Sequence, residues 1–357
     1  MNTTSALLWT IALTALGLSA CTSPEPMDGT ADSGPDAYDL ALEDHLVHFE
    51  ALPADAENAA NPVTDEKVAL GHMLYFDSRL SLTGNNSCNS CHNLATFGVD
   101  KLPTSPGDNG GFGDRNSPTT LNAALHSTQF WDGRAGDVEE QAGMPILNPV
   151  EMAIPSKDFL VERLSGIELY REAFAEAFPD AEVPLSYENI QNAIAAFERE
   201  LITPSRVDEY LRGQHDALTE QEKKGMLIFA LSGCTQCHNG ALLGGNSFQK
   251  FGVYGDYWEH TGSEHIDDGR FTVTGNESEK YLFKVPSLRN IAETEPYFHD
   301  GSVDDLEESI RIMARIQLDK DLTEEQVANM AAFLEALTGE VPAEFQTAPE
   351  VIAASAL

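Results

Sequence analysis

Two short stretches, Cys88-Asn89-Ser90-Cys91-His92 and Cys234-Thr235-Gln236-Cys237-His238, constrain this chain of 357 residues more than anything else in it. Each has the form C-x-x-C-H, the attachment site of a c-type haem: two thioether bonds to the porphyrin, with the adjacent histidine on the iron. The spacing has a physical reason. Two intervening residues let both sulfurs reach one edge of the macrocycle, and the next side chain can then turn beneath the metal. Zinc would need four cysteines converging on one ion, yet the two histidines stand 146 residues apart and each cysteine pair has its own. A thioredoxin-like pair should follow a strand in a βαβ unit, and no such unit is readable. The doubled motif predicts two covalently bound c-type haems, with Cys88, Cys91, Cys234 and Cys237 as attachment points and His92 and His238 as iron ligands.

The fifth cysteine belongs to a different feature. Ala6 to Leu18 is an uncharged apolar run, too short to cross a bilayer comfortably, and it leads into Leu18-Ser19-Ala20-Cys21. This resembles the lipobox of bacterial lipoproteins, so residues 1–20 are expected to be a signal peptide and Cys21 a lipidation site. Thr22 to Asp44 is rich in Pro, Asp, Ser and Gly and reads as a flexible tether. The expected location is the periplasm, with the membrane reached only through a lipid anchor. Export agrees with haem attachment outside the cytoplasm.

Lys plus Arg number 21 against 58 Asp plus Glu, a formal charge of −37. Phosphate backbones are bound by cationic surfaces, so nucleic acid is excluded as a partner. The acidity fits either a cationic protein partner or the solubility demands of a salty habitat.

The surroundings of the two motifs form a faint repeat. Thr64-Asp65-Glu66-Lys67 precedes an apolar run through Leu70, Met73, Leu74 and Phe76, and Thr219-Glu220-Gln221-Glu222 precedes Met226, Leu227, Ile228 and Phe229. Each reads as a Thr-capped helix entering a haem loop. Further amphipathic helices are expected over Lys157 to Phe178, over Tyr187 to Leu201, from near Ser302, and from Thr323 to Gly339. The fold class is mainly α, with two cytochrome c-like haem domains and long loops. The expected divisions are a first haem domain over 45–205 and a second over 206–345.

Several stretches match one family: Asn116-Ser117-Pro118-Thr119, Phe130-Trp131-Asp132-Gly133-Arg134, Gln141 with Asn148-Pro149-Val150-Glu151-Met152, Phe283 to Asn290, and Pro296-Tyr297-Phe298-His299-Asp300-Gly301. The chain resembles the bacterial di-haem cytochrome c peroxidases, the group that also contains MauG, over about residues 60 to 340. The resemblance implies reduction of H2O2 at the first haem, with electrons entering at the second from a small donor, a cytochrome c or a cupredoxin. It implies Glu151 as the distal acid–base group with Gln141 beside it, and Trp131 between the haems. Met313 would be the sixth ligand of the second iron, while Met330 is read as core. Asn116, with the carbonyls of Thr294 and Pro296, would hold a calcium ion, and a homodimer is possible. Asp132 and Arg134 are read as a structural ion pair. The alternatives are a MauG-like oxidase that modifies a protein side chain, which Met313 opposes because MauG uses a tyrosine there, or a di-haem electron carrier without peroxide chemistry.

One departure from the family stands out. Many members carry a histidine in the loop after the first motif, which caps the first iron in the resting enzyme. The loop from Asn93 to Arg115 contains no histidine, and Asp108 stands at about that place. A carboxylate replaces imidazole poorly as a strong-field ligand, so the first haem is expected to be open when both irons are ferric. His72 and His126 are assigned structural roles.

Overall fold

The computed structural model describes residues 34–355. The leader, Cys21 and the first part of the tether lie outside the described residues. The helices run α1 (Ala37–Leu42), α2 (Asp65–Phe76), α3 (Cys88–Cys91), α4 (Val138–Leu147), α5 (Lys157–Ser165), α6 (Glu168–Ala177), α7 (Tyr187–Glu198), α8 (Arg206–Leu211), α9 (Glu220–Ser232), α10 (Tyr257–Thr261), α11 (Phe271–Thr274), α12 (Leu306–Leu318), α13 (Glu324–Glu335) and α14 (Glu350–Ser355). Among the described residues the only sheet is a pair of antiparallel strands, β1 (Phe248–Lys250) and β2 (Leu282–Lys284). The architecture is mainly α, as the apolar periodicity predicts.

The repeat seen in the sequence is a repeat in space. In the first unit α2 crosses α7, and Gly71 lets the backbones touch: a Cβ built there would lie 2.0 Å from the Ala193 carbonyl oxygen. In the second unit α9 crosses α13, and a Cβ at Gly225 would lie 1.8 Å from the Asn329 carbonyl oxygen. Each glycine sits on the helix that runs into a C-x-x-C-H turn. Around the first crossing lie Leu70, Leu74, Phe174, Ile190 and Ile194, all buried. Around the second lie Met226, Phe229, Met330, Phe333 and Leu334. Met330 is therefore a core residue, packed as its apolar helix face predicts.

Capping follows the sequence signals. Thr219 forms a reciprocal capping box with Glu222, and Thr323 forms one with Gln326. Thr64 accepts only from the Lys67 amide, while Asp65 and Glu66 occupy the first turn beside the positive end of the helix. The expected helix over 157–178 is two helices. α5 ends at Gly166 and α6 begins afresh at Glu168. The helix expected from Ser302 begins at Leu306, capped by Asp305.

The expected unit boundaries need correction at both ends. Asp36 caps α1, and Lys223 on α9 bonds to the carboxylates of Asp36 and Asp39 at 2.8 and 2.9 Å. Leu42 and Phe49 are buried with Phe229 and Phe333, so residues 36–49 are a docked arm of the second unit. The tether therefore does not extend to residue 44. In exchange, Phe345 stacks edge-on to Phe197 of the first unit at 5.1 Å. His72 lies flat on Phe197 and bonds through Nε2 to the Thr347 carbonyl at 3.0 Å, a structural role.

Candidate active site and haem-binding turns

Both C-x-x-C-H motifs fold into the same tight turn. In the first, the His92 amide donates to the Cys88 carbonyl at 2.9 Å; in the second, the His238 amide donates to the Cys234 carbonyl at 2.9 Å. Ser87 and Ser90 form a capping box on α3, and Gly233, in the left-handed region at φ 97°, lets α9 end and the second turn begin. None of the four cysteines is paired in a disulfide. Burial pushes their pKa values up, to about 11 for Cys91 and about 12 for Cys234. A buried neutral sulfur suits a thioether better than a metal thiolate. Among the described residues no three His, Cys, Asp or Glu side chains converge as a metal site.

The two histidines are prepared as neutral ligands. His238 Nδ1 faces the Leu243 carbonyl at 2.8 Å, so the proton sits on Nδ1 and the Nε2 lone pair is available to a metal. Burial lowers its pKa, against the opposing pull of that carbonyl. His92 is held from behind: the Tyr75 hydroxyl donates to its backbone carbonyl at 2.6 Å and also meets the Thr120 hydroxyl at 3.0 Å. Burial lowers the His92 pKa too, opposed by Asp100 and by the backbone of Pro118 and Gly98. Its Nδ1 is buried and lacks a hydrogen bond of good geometry. The residues fit two haems.

Glu151 stands just beyond α4, whose C-terminal residue Leu147 is followed by the cap Asn148. The Asn148 amide donates to Glu151 Oε1 at 2.8 Å. Burial raises the Glu151 pKa, with Arg134 and Asn148 acting the other way. Glu151 lines a cavity of about 480 Å³ together with Phe130, Arg134, Met144, Pro145 and Lys157. Gln141, half-buried on α4, does not line it. The Arg134 guanidinium lies 3.5 Å from the Phe130 ring centre and pairs with Asp132 at 3.0 Å, the expected ion pair.

Asp108 is fully engaged elsewhere. Its carboxylate accepts from the Ser81 hydroxyl at 2.8 Å and from the amides of Thr83 and Asn85 at 2.7 and 3.1 Å. Asp108 is only 7% exposed.

Trp131 lies at the junction of the units. Its indole N–H donates to the Asn116 carbonyl at 3.0 Å, its own carbonyl accepts from the Lys284 amide at 2.7 Å, and its ring centre is 6.4 Å from that of His299. The Asn116 amide N–H donates to the His299 carbonyl at 2.7 Å, so Asn116 and the segment carrying Thr294 and Pro296 are neighbours. Asn116 Nδ2 donates to the Leu102 carbonyl at 3.0 Å, leaving Oδ1 as the acceptor end of the amide. Met313 is half-buried on α12. Ile310 joins the second-unit core and Ile312 and Ile316 join another cluster, while Met313 belongs to neither.

Three polar arrangements had no signal in local sequence. Arg115 bridges Asp132 at 2.5 Å and Asp267 at 2.6 Å across the junction. Arg289 and Asp208 form an ion pair at 2.6 Å with both side chains wholly buried. Lys284 Nζ meets His126 Nδ1 at 2.7 Å in the interior, which gives His126 a structural place.

A family model described as di-haem cytochrome c peroxidase matches residues 65–216. The chain is 44% identical over 291 residues to the cytochrome c551 peroxidase of Nitrosomonas europaea, covering 81% of this chain and 85% of that one. It is 44% identical to the cytochrome c551 peroxidase of Pseudomonas aeruginosa, with 82% and 85% covered. Identity to the methylamine utilization protein MauG of Methylorubrum extorquens is 34%, with 78% and 77% covered. A crystal structure of a MauG-like protein associated with microbial copper homeostasis superposes with a TM-score of 0.74 at 31% identity, covering 84% of this chain and 97% of that one. With two matching haem-binding turns, a glutamate lining an open cavity and relatives of this closeness, the chain belongs to the di-haem cytochrome c peroxidase family.

Proposed function

We propose that the protein reduces hydrogen peroxide to water in the periplasm, tethered through a lipid on Cys21, with electrons from a small cytochrome c or cupredoxin. His92 would hold one haem, and His238 with Met313 the other; the two groups would supply the redox chemistry of peroxide reduction and of accepting electrons from the donor. The rest is the work of side chains. Asn148 fixes one oxygen of the Glu151 carboxylate. The carboxylate takes a proton from one peroxide oxygen and returns it to the other as the O–O bond breaks. Two electrons and two further protons complete the formation of two waters. Trp131, bonded to both units, is the aromatic that would serve electron passage from one unit to the other.

The observation that carries this reading is Glu151, its carboxyl held by Asn148 and the residue lining a cavity of about 480 Å³. Stopped-flow mixing of the diferric protein with H2O2 tests it. The parent should react rapidly and a Glu151→Gln variant should not. An unchanged reaction in the variant would leave the electron-carrier reading standing.

Two finer points belong to the proposal. Asn116 Oδ1 and the carbonyls of Thr294 and Pro296 are neutral oxygens of the kind calcium accepts. A chelator should then lower the melting temperature of the junction, and calcium should restore it. The engagement of Asp108 by Ser81, Thr83 and Asn85 supports a first haem that is open at rest. The spectrum of the diferric protein should show a high-spin component; purely low-spin signals from both haems would defeat the idea. An open iron also suits a MauG-like oxidase. Turnover with a reduced cytochrome, set against modification of a co-encoded protein, separates the two.

A further inference from the structure

We infer that Asp108 is a positioning residue for Glu151, joining three separate loops into one rigid seat for the distal carboxyl. The inference rests on the role of Glu151 given above and concerns how this chain holds it.

The first loop, residues 81–85, wraps the Asp108 carboxylate with one hydroxyl and two amide donors. The second is the Asp108 loop itself, where the Asp108 amide donates to the Glu151 carbonyl at 2.7 Å. The third is the Glu151 segment, bonded back to the first because the Leu82 amide donates to the Met152 carbonyl at 2.8 Å. The hydrogen bonds therefore close a ring: 81–85 to Asp108, Asp108 to Glu151, Met152 to Leu82. Arg163 braces the outside, donating to the carbonyls of Arg79 and Ser81 at 2.7 and 2.6 Å.

Contact at the ring is close. A Cβ built on Gly107 would lie 1.7 Å from the Val150 carbonyl oxygen, so the loop backbone rests directly on the Glu151 segment. The charge is equally committed. Asp108 is buried and none of its three donors is cationic, so its ionised form is held by neutral hydroxyl and amide donors. Those donors outweigh burial and keep its pKa below the usual carboxylate value. An ionised latch of this kind keeps its donors over the whole range in which Glu151 changes protonation. Glu151 itself is fixed at both levels, its side chain by Asn148 and its backbone by Asp108.

The test separates positioning from folding. Hydrogen cyanide must lose its proton before the anion can bind ferric iron, so its association rate with the diferric holoprotein reads the distal base without turnover. In Asp108→Ala, kcat for peroxide should fall by about 10-fold to 100-fold, with KM within about twofold and the cyanide rate reduced in proportion. Asp108→Asn, which keeps an oxygen for Ser81 and Asn85, should recover to within about threefold of the parent. Should Asp108→Ala fail to fold, Ser81→Ala removes one donor only and should lower kcat and the cyanide rate together by about threefold. The inference is overturned if haem-replete Asp108→Ala, or Ser81→Ala in its stead, keeps both rates near the parent values, or if KM alone changes. Glu151→Gln serves as the control. Loss of both rates there with none in the Asp108 variant rejects the latch and spares the function, whereas no loss in Glu151→Gln rejects the role of Glu151 itself.

Discussion

Burial raises the pKa of two glutamates, with separate consequences for activity and stability. Glu151 must be ionised to take a proton, so kcat/KM should fall as pH drops through a value above that of an ordinary carboxylate. Replacing Glu151 by Gln should cost about 10²-fold to 10⁴-fold in kcat and remove that acid limb from the pH profile. Glu198 on α7 is 4% exposed, and burial, reinforced by Glu139, raises its pKa from 4.5 to about 8. For an acid raised on folding, the unfolded chain releases its proton first. Between pH 4.5 and about 8 the folded form holds a proton that the unfolded form has lost, so stability falls as pH rises through that window. Glu198→Gln should therefore be more stable than the parent at pH 8, by about 2–4 kcal/mol, with the two melting alike near pH 4.5. Equal melting temperatures at pH 8 would mean that Glu198 is ionised in the native protein. Neither Glu198 nor Asp108 could be assigned from sequence. Haem attachment is legible because thioether chemistry requires its residues within one turn, whereas the partners of Asp108 lie more than twenty residues away.

Helices were more legible than their ends. Thr64, Thr219 and Thr323 mark true starts because an N-cap is a local contract between a hydroxyl and an amide three residues on. The break at Gly166 is hidden in the sequence because the apolar period continues across it, through Leu164 and into Tyr170 and Phe174. The role of Gly71 and Gly225 was also hidden: a glycine inside an apolar helix carries no sign of what crosses it. Their geometry gives a direct prediction. Gly71→Val and Gly225→Val each force a side chain into a carbonyl of the crossing helix, which overpacking should make about 1–3 kcal/mol less stable. Each substitution should loosen its own unit. Melting followed at the haem band should show the first haem losing its native environment early in Gly71→Val and the second in Gly225→Val. Identical behaviour of both haems in both variants would instead make the chain a single cooperative unit.

At the scale of the whole molecule, sequence order misleads about spatial membership. The arm at 36–49 docks on the second unit and Phe345 returns to the first, so each terminal segment lies on the unit distant from it in the chain. Arg115, between Asp132 and Asp267, adds a charged clamp at the junction. The same long-range view decides between the two meanings of a charge of −37. If the acidity serves donor capture, a basic cytochrome c should be steered to the surface at low salt. Raising ionic strength from about 10 mM to about 150 mM shortens the screening length from ~30 Å to ~8 Å. Under that change kcat/KM for a basic cytochrome should fall by about tenfold or more, through slower association. An acidic donor should gain or stay constant over the same range, and kcat at saturating donor should hardly move for either, because screening acts on encounter and not on the proton transfer at Glu151. A basic donor whose kcat/KM ignores salt would show that the acidic surface keeps the protein in solution and takes no part in choosing its partner.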